Sequence, residues 1–221
     1  FGDSDSGIFG GTNTVSLTAG GTTRLTADTG VSVVGTLAVT GAITSTSDLT
    51  IAEKIIHAGD TDTFVSFPSA NTVSVETAGS EALRVDSSQR LLVGTSTSRS
   101  IGTTTNRKIL VEATDASAGI GLLRNTANSL GSYVSLGKTR GGSNGSNTIV
   151  QADDTLGIIH WVGADGTDVV SVAAEIRAQV DGTPGADDMP GRLVFSTTAD
   201  GAATPTTRLT IDSAGKATFT E

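Results

Sequence analysis

The stretch Val169-Val-Ser-Val-Ala-Ala-Glu-Ile-Arg-Ala-Gln-Val180 decides the fold class. It can be read as a short helix, but Val and Ile at alternate positions near both ends carry the period of a strand. Taken as a strand, it falls into line with its neighbours. Strand character returns at 108–112, 120–124, 131–138, 156–163, 192–196, 208–212 and 216–220, with Gly-, Asn- and Asp-rich turns between. That many strands, turned at such spacing, predict an all-β fold with a β-sandwich head domain over residues 106–221.

Before residue 105 the pieces are shorter. From Asn13 to Thr50 apolar and polar residues alternate in runs as brief as Thr14-Val-Ser-Leu-Thr18, broken by Gly20, Gly21, Gly30, Gly35 and Gly41. Two segments echo each other. Asn13-Thr-Val-Ser-Leu-Thr-Ala-Gly20 leads to Arg24-Leu-Thr-Ala-Asp28, and Asn71-Thr-Val-Ser-Val-Glu-Thr-Ala-Gly79 leads to Leu83-Arg-Val-Asp86. Arg208-Leu-Thr-Ile-Asp-Ser-Ala-Gly215 repeats the second half. Each copy reads apolar, polar, apolar, then an Asp that opens a tight turn, which is a hairpin signal. Their irregular spacing marks a reused module and not a solenoid. Residues 94–106 hold Ile101 as their single apolar residue. We therefore expect a boundary near 105, with a shaft of short Gly-punctuated strands over 1–105 and the head over 106–221.

Composition agrees with this reading. Of 221 residues, 28 are Gly, 24 Ser and 36 Thr, residues that fit strands and turns. The apolar fraction of 36% and charged fraction of 17% are too apolar and too weakly charged for disorder. Core-filling side chains are nevertheless scarce: one Trp, one Tyr, six Phe and one Met. A self-sufficient monomeric core is not expected. A net charge of −9 argues against nucleic acid or anionic lipid as a partner, since both need a basic face to displace counterions. Of the acids, 17 are Asp and 6 Glu, so much of the negative charge is turn chemistry. The absence of Cys leaves packing and oligomerisation as staples. No apolar run approaches the ~18 residues of a membrane span. The chain starts at Phe1, and we read it as a fragment of something longer.

Motifs for chemistry are weak. Gly141-Gly-Ser143-Asn-Gly145 matches a nucleophile elbow, with Asp153 or Asp154 and then His160 in hydrolase order, but Ser143 leads into Asn-Gly-Ser-Asn-Thr and a strand where the elbow needs a helix. Glycoside hydrolysis needs two acids at a defined gap, and Asp153/Asp154, Asp165/Asp168, Asp187/Asp188 and Glu175 are the candidates. The Asp pairs read as turn residues and Glu175 as a sheet-edge charge. The turns at 165–168 and 181–188 lack EF-hand spacing for Ca²⁺. His57 and His160 are lone histidines that only trimer symmetry could multiply into a metal site. Trp161 shares a period-two face with Ile159, as a core residue would. No catalytic residue, metal or cofactor is expected.

The residues Leu83-Arg-Val-Asp-Ser-Ser88, 182–201 and Leu209-Thr-Ile-Asp-Ser-Ala-Gly215, in that order along one chain, resemble tail-fibre proteins of tailed bacteriophages, marine ones especially. Gly35-Thr-Leu-Ala-Val-Thr-Gly-Ala-Ile-Thr44 and 54–63 resemble shaft segments of the same group. The resemblance implies an elongated homotrimer on a virion, joined to other tail proteins and involved in attachment to a host surface glycan or outer-membrane receptor; the alternatives are a polysaccharide depolymerase tailspike and a purely structural spacer whose receptor-binding tip lies elsewhere. Loops on a rigid sheet scaffold carry recognition. The longest polar turns of the head supply the candidate receptor contacts: Ser143, Asn144 and Asn147 in one, Asp165 and Asp168 in another, Asp187 and Asp188 in a third.

Overall fold

Strands are the only regular elements among the described residues, which in this computed structural model are 7–11, 14–19, 22–23, 33–103 and 105–220. The all-β reading holds. The chain divides by its internal contacts into Phe1–Thr50 and Ile51–Glu221. In the first unit β1 (Gly7–Gly11), β2 (Thr14–Ala19) and β3 (Thr22–Thr23) form an antiparallel sheet in that order. Residues 33–50 form no strand, contrary to the short strands expected there, and Leu37 and Ile43 are exposed. Alternation alone supplies no partner edge. The first copy of the Asp module, ending at Asp28, lies outside the described residues.

The second unit holds two sheets. The first runs β4 (Lys54–His57), β5 (Asp60–Ser66), β6 (Val73–Thr77), β7 (Ser80–Val85), β8 (Leu91–Val93) and β9 (Ile109–Val111) in chain order. Its hairpins are antiparallel until β9, which pairs parallel with β8. A parallel neighbour needs a return crossover, and the Ser/Thr-rich stretch around residue 100 provides it. The stretch read as a boundary thus joins two strands of one sheet.

The second sheet is an antiparallel meander of β10 (Thr155–Val162), β11 (Val172–Val180), β12 (Gly191–Thr197), β13 (Thr206–Ile211) and β14 (Ala217–Phe219). The deciding stretch is β11, a strand hydrogen-bonded on both sides. Glu175 therefore sits inside the sheet and not at its edge, and it is buried. The strands expected at 120–124 and 131–138 do not form. Their alternation is real, but no described strand edge of this chain pairs with them.

The repeated Asp module builds the same turn twice. Asp86 Oδ1 accepts from the amides of Ser88 and Arg90, and Asp212 Oδ1 accepts from those of Ala214 and Lys216. In each, the amide of the Asp donates to the carbonyl four residues on. The fourth residue has positive φ: Gln89 at 59° in one copy, Gly215 at 80° in the other. These turns close the β7–β8 and β13–β14 hairpins and so fix their registers.

Register aligns the apolar residues into rows. Ile55, Val65, Val75, Leu83, Val93 and Val111 stand opposite one another, one per strand, across all six strands. Ile159, Ile176, Phe195, Leu209 and Phe219 do the same across the other five. The rows are open at edge strands, where Ile55 is 54% exposed, Ile159 51% and Phe219 78%, and their other members are half-buried. Trp161, read as a core residue, shares the face of Ile159 and is itself half exposed. Several of the most buried residues lie on the opposite faces, where Ser66 and Ser74 share a 2.8 Å hydrogen bond and Glu175 and Ser196 are enclosed.

Candidate functional site

Two of the three expected receptor loops meet. The loop carrying Ser143, Asn144 and Asn147 is closed at its base by the Arg140 amide and Thr139 hydroxyl, both donating to the Thr148 carbonyl. Gly141 is required there, because a Cβ would collide with the Ser146 side chain. At its tip the Ser146 amide donates to the Ser143 carbonyl, leaving Ser143 and Asn144 exposed. The loop carrying Asp187 and Asp188 turns tightly, with Gly185 and Asp188 exchanging backbone hydrogen bonds and Asp187 at φ 55°. Asn147, Thr148 and Lys138 from the first loop and Gly185, Ala186 and Met189 from the second line one open cavity of about 480 Å³. The remaining pair stands elsewhere. Asp168 lines a separate hollow of about 490 Å³ with Arg99 and Ser100.

The acidic pair Asp153 and Asp154 ties the bases of the two meeting loops together. Asp154 receives a two-pronged hydrogen bond from Arg140 at 2.6 and 2.9 Å, with Lys138 at 3.6 Å and the Gln151 amide at 3.0 Å. The Arg140 guanidinium, then the Gln151 amide, hold its carboxyl far below the usual carboxylate range. Asp153 instead binds Arg192 at 2.6 Å, and Arg192 also reaches Asp181 at 3.1 Å, where the second loop begins. Asp181 in turn accepts from the Ser213 amide at 2.8 Å, and that backbone bond leads the causes that lower its pKa. Two neighbouring carboxylates thus hold Arg140 of the first loop and Arg192 of β12. Sequence reading found the carboxylates but not this role, since Arg140 and Arg192 are far apart in the chain and only the tertiary fold brings them to one pair of acids.

The other acids are also engaged in structure. Asp165 caps its own turn, accepting from the amides of Asp168 and Thr167 and from the Ser171 hydroxyl, and these bonds lower its pKa in that order of backbone before side chain. Asp168 accepts from the Val170 amide. Buried Glu175 lies 2.7 Å from Arg177 and 3.4 Å from His160, its cross-strand neighbour. His57 stands 3.8 Å from Asp60 in the β4–β5 hairpin. Among the described residues of one chain, no three His, Asp or Glu side chains converge as a metal site.

No family model matches the chain, and no curated protein matches it. Solved structures do. The carboxy-terminal domain of the bacteriophage T5 L-shaped tail fibre superposes with a TM-score of 0.57 at 13% identity, over 77% of this chain and 78% of that one. The fold is that of a phage tail-fibre domain. The form of the T5 domain that keeps its intramolecular chaperone gives a TM-score of 0.59, also at 13% identity, over 77% of this chain and 54% of that one. At that identity the likeness to the tail-fibre domains lies in the backbone path.

Proposed function

We propose that this chain is a structural tail-fibre component of a tailed phage of the marine kind, located in the virion tail, where it forms a homotrimer, joins other tail proteins and contacts the host surface. The observation that carries the proposal is the pair of apolar rows, each running unbroken across every strand of its sheet yet only partly covered by its own chain. Burying those rows against further copies supplies the core that the composition lacks. In such an assembly the shaft over 1–105 and the head over 106–221 would be continuous through the β8–β9 pair, which spans residue 105. Neither nucleic acid nor membrane insertion has a place in it.

The cavity between the two clamped loops is the best receptor contact. Asn147 and Thr148 offer donors and acceptors for sugar hydroxyls, while Met189 and Ala186 offer an apolar surface for a ring face. Ser143 and Asn144 stand exposed beside it, with Asp187 and Asp188 on the second loop, and Asp165 and Asp168 form a separate contact. Three copies per trimer would add avidity. We assign no catalysis, because Asp153, Asp154, Asp165 and Glu175 are committed to ion pairs and turns. Light scattering should give three times the chain mass. Joint substitution of Ser143, Asn144 and Asn147 by Ala should then abolish host-cell binding without changing Tm. A monomer would refute the assembly, and unchanged binding would remove the loop. Release of sugar from host polysaccharide by the purified protein would establish an enzyme.

A further inference from the structure

Between β9 and the first receptor loop runs a long stretch without a strand. Among the described residues, 113–139 make no backbone-to-backbone hydrogen bond. Three of its amides are capped by neighbouring side chains: Ser117 by Asp115, Asn128 by Thr126 and Leu130 by Asn128. The Gly131 carbonyl meets Arg124 at 3.5 Å. Loops longer than about 12–15 residues without structure are uncommon in a folded domain. This one is not built like a solvated loop. Ile120 is 76% exposed, Leu123 85% and Val134 75%, with Leu122, Tyr133 and Leu136 also open to solvent. Apolar side chains of strand-forming type and unpaired backbone therefore coincide in the same residues, at 120–124 and 131–138.

We propose that residues 113–139 are an arm whose two strand-like segments add, by backbone pairing, to a sheet edge on a second copy of this chain. Resting on the homo-oligomer reading, this identifies which residues cross between chains. Such a pairing supplies partners for both the backbone groups and the exposed apolar side chains. Edges are available: among the described strands β10 and β14 end one sheet, β4 and β9 the other. A second copy fits by charge as well. Asp115 against Arg124 and Lys138 leaves the arm at +1, on a chain whose net charge is −9. Leu136 touches its own chain through its side chain, which occupies the space above Gly157 of β10 that a Cβ would need, and this contact leaves the backbone groups of 131–138 without backbone partners.

The test is hydrogen exchange on the intact chain, with its oligomeric state measured in parallel. In the oligomer, amides at 120–124 and 131–138 should exchange at least ~100-fold more slowly than in an unstructured chain. Leu123→Pro and Val134→Pro each remove one backbone donor and should lower the oligomer's Tm and its resistance to dilution. An oligomer whose arm amides exchange freely overturns the arm while leaving the assembly intact. Slow exchange together with proline variants that keep the oligomer and its Tm also overturns it, since the partner would then not depend on those donors. A monomer overturns both readings.

Discussion

The two sheets of residues 51–221 solve one problem with different materials. Each aligns a row of apolar residues, one per strand, on a face its own chain covers only in part. In the six-stranded sheet the row is wholly aliphatic, from Ile55 to Val111, and the opposite face holds the neutral Ser66–Ser74 pair with Leu92 and Leu110. In the five-stranded sheet the row carries Phe195 and Phe219, and the opposite face holds Glu175 between Arg177 and His160. The partly covered apolar row is the shared feature, and what the opposite face buries is not. Such a row is what an interchain contact needs, whereas the opposite face has only to satisfy its own polar groups.

The largest effects should come from the rows. Leu83→Asp and Phe195→Asp each place a charge at a row centre, and each should dissociate the assembly, costing about 3 kcal/mol or more per chain. Arg84→Ala, one residue away but on the other face, should lose its ion pair with Glu81 and keep the oligomer. Light scattering with thermal melts separates these outcomes. Retention of the oligomer by both Asp variants would break the comparison.

Next come the enclosed faces. Removing Glu175 as Ala leaves Arg177 without its anion in a largely enclosed site and should cost about 2–4 kcal/mol. Ser74→Ala orphans the Ser66 hydroxyl and should cost about 1–2 kcal/mol, partly restored in the double Ala variant. Chemical denaturation measures both, and equal losses would mean that the charge on the five-stranded sheet carries no greater penalty than a hydroxyl.

The matched turns allow a finer test. Gly215→Ala forces a side chain into a positive-φ position and should lose about 1 kcal/mol. Gln89 already occupies the equivalent position, so Gln89→Gly should gain a few tenths to about 1 kcal/mol. Equal and opposite shifts in Tm would show that the two turns are energetically as well as geometrically alike.

The smallest effects concern acid. For Asp86, desolvation raises the carboxyl pKa but the Arg90 bonds outweigh it, and the net direction is downward. Asp154 is lowered further, chiefly by Arg140. A carboxyl depressed in the folded state stabilises fully above its unfolded pKa of about 3.9 and loses that stability as pH falls through the folded value. Stability should therefore be flat with respect to these groups above about pH 5 and decline below pH 4. Asp86→Asn and Asp154→Asn should each make that decline shallower, as acid titration followed by circular dichroism will show.

Much of this was legible beforehand. Period-two alternation identified β11 over a helix, and the Asp module announced both hairpin turns, because those are local matters of side-chain spacing and of a carboxylate reaching amides two and four residues on. The loops of the candidate site were visible as polar turns, but their convergence was not. Asp153 and Asp154 read as an acid pair or a turn, and only the fold revealed that Arg140 and Arg192 grip them from two directions.

By itself the sequence determined strand character, turn chemistry and the shortage of a private core, all properties of residues and their immediate neighbours. The tertiary structure decided pairing. It set the registers that align apolar residues into rows, placed Glu175 inside a sheet, and left 120–124 and 131–138 without an edge although their pattern matches that of true strands. The physical reason is that a strand, unlike a helix, satisfies its backbone only through another segment, so its sequence specifies the ability to pair and not the partner.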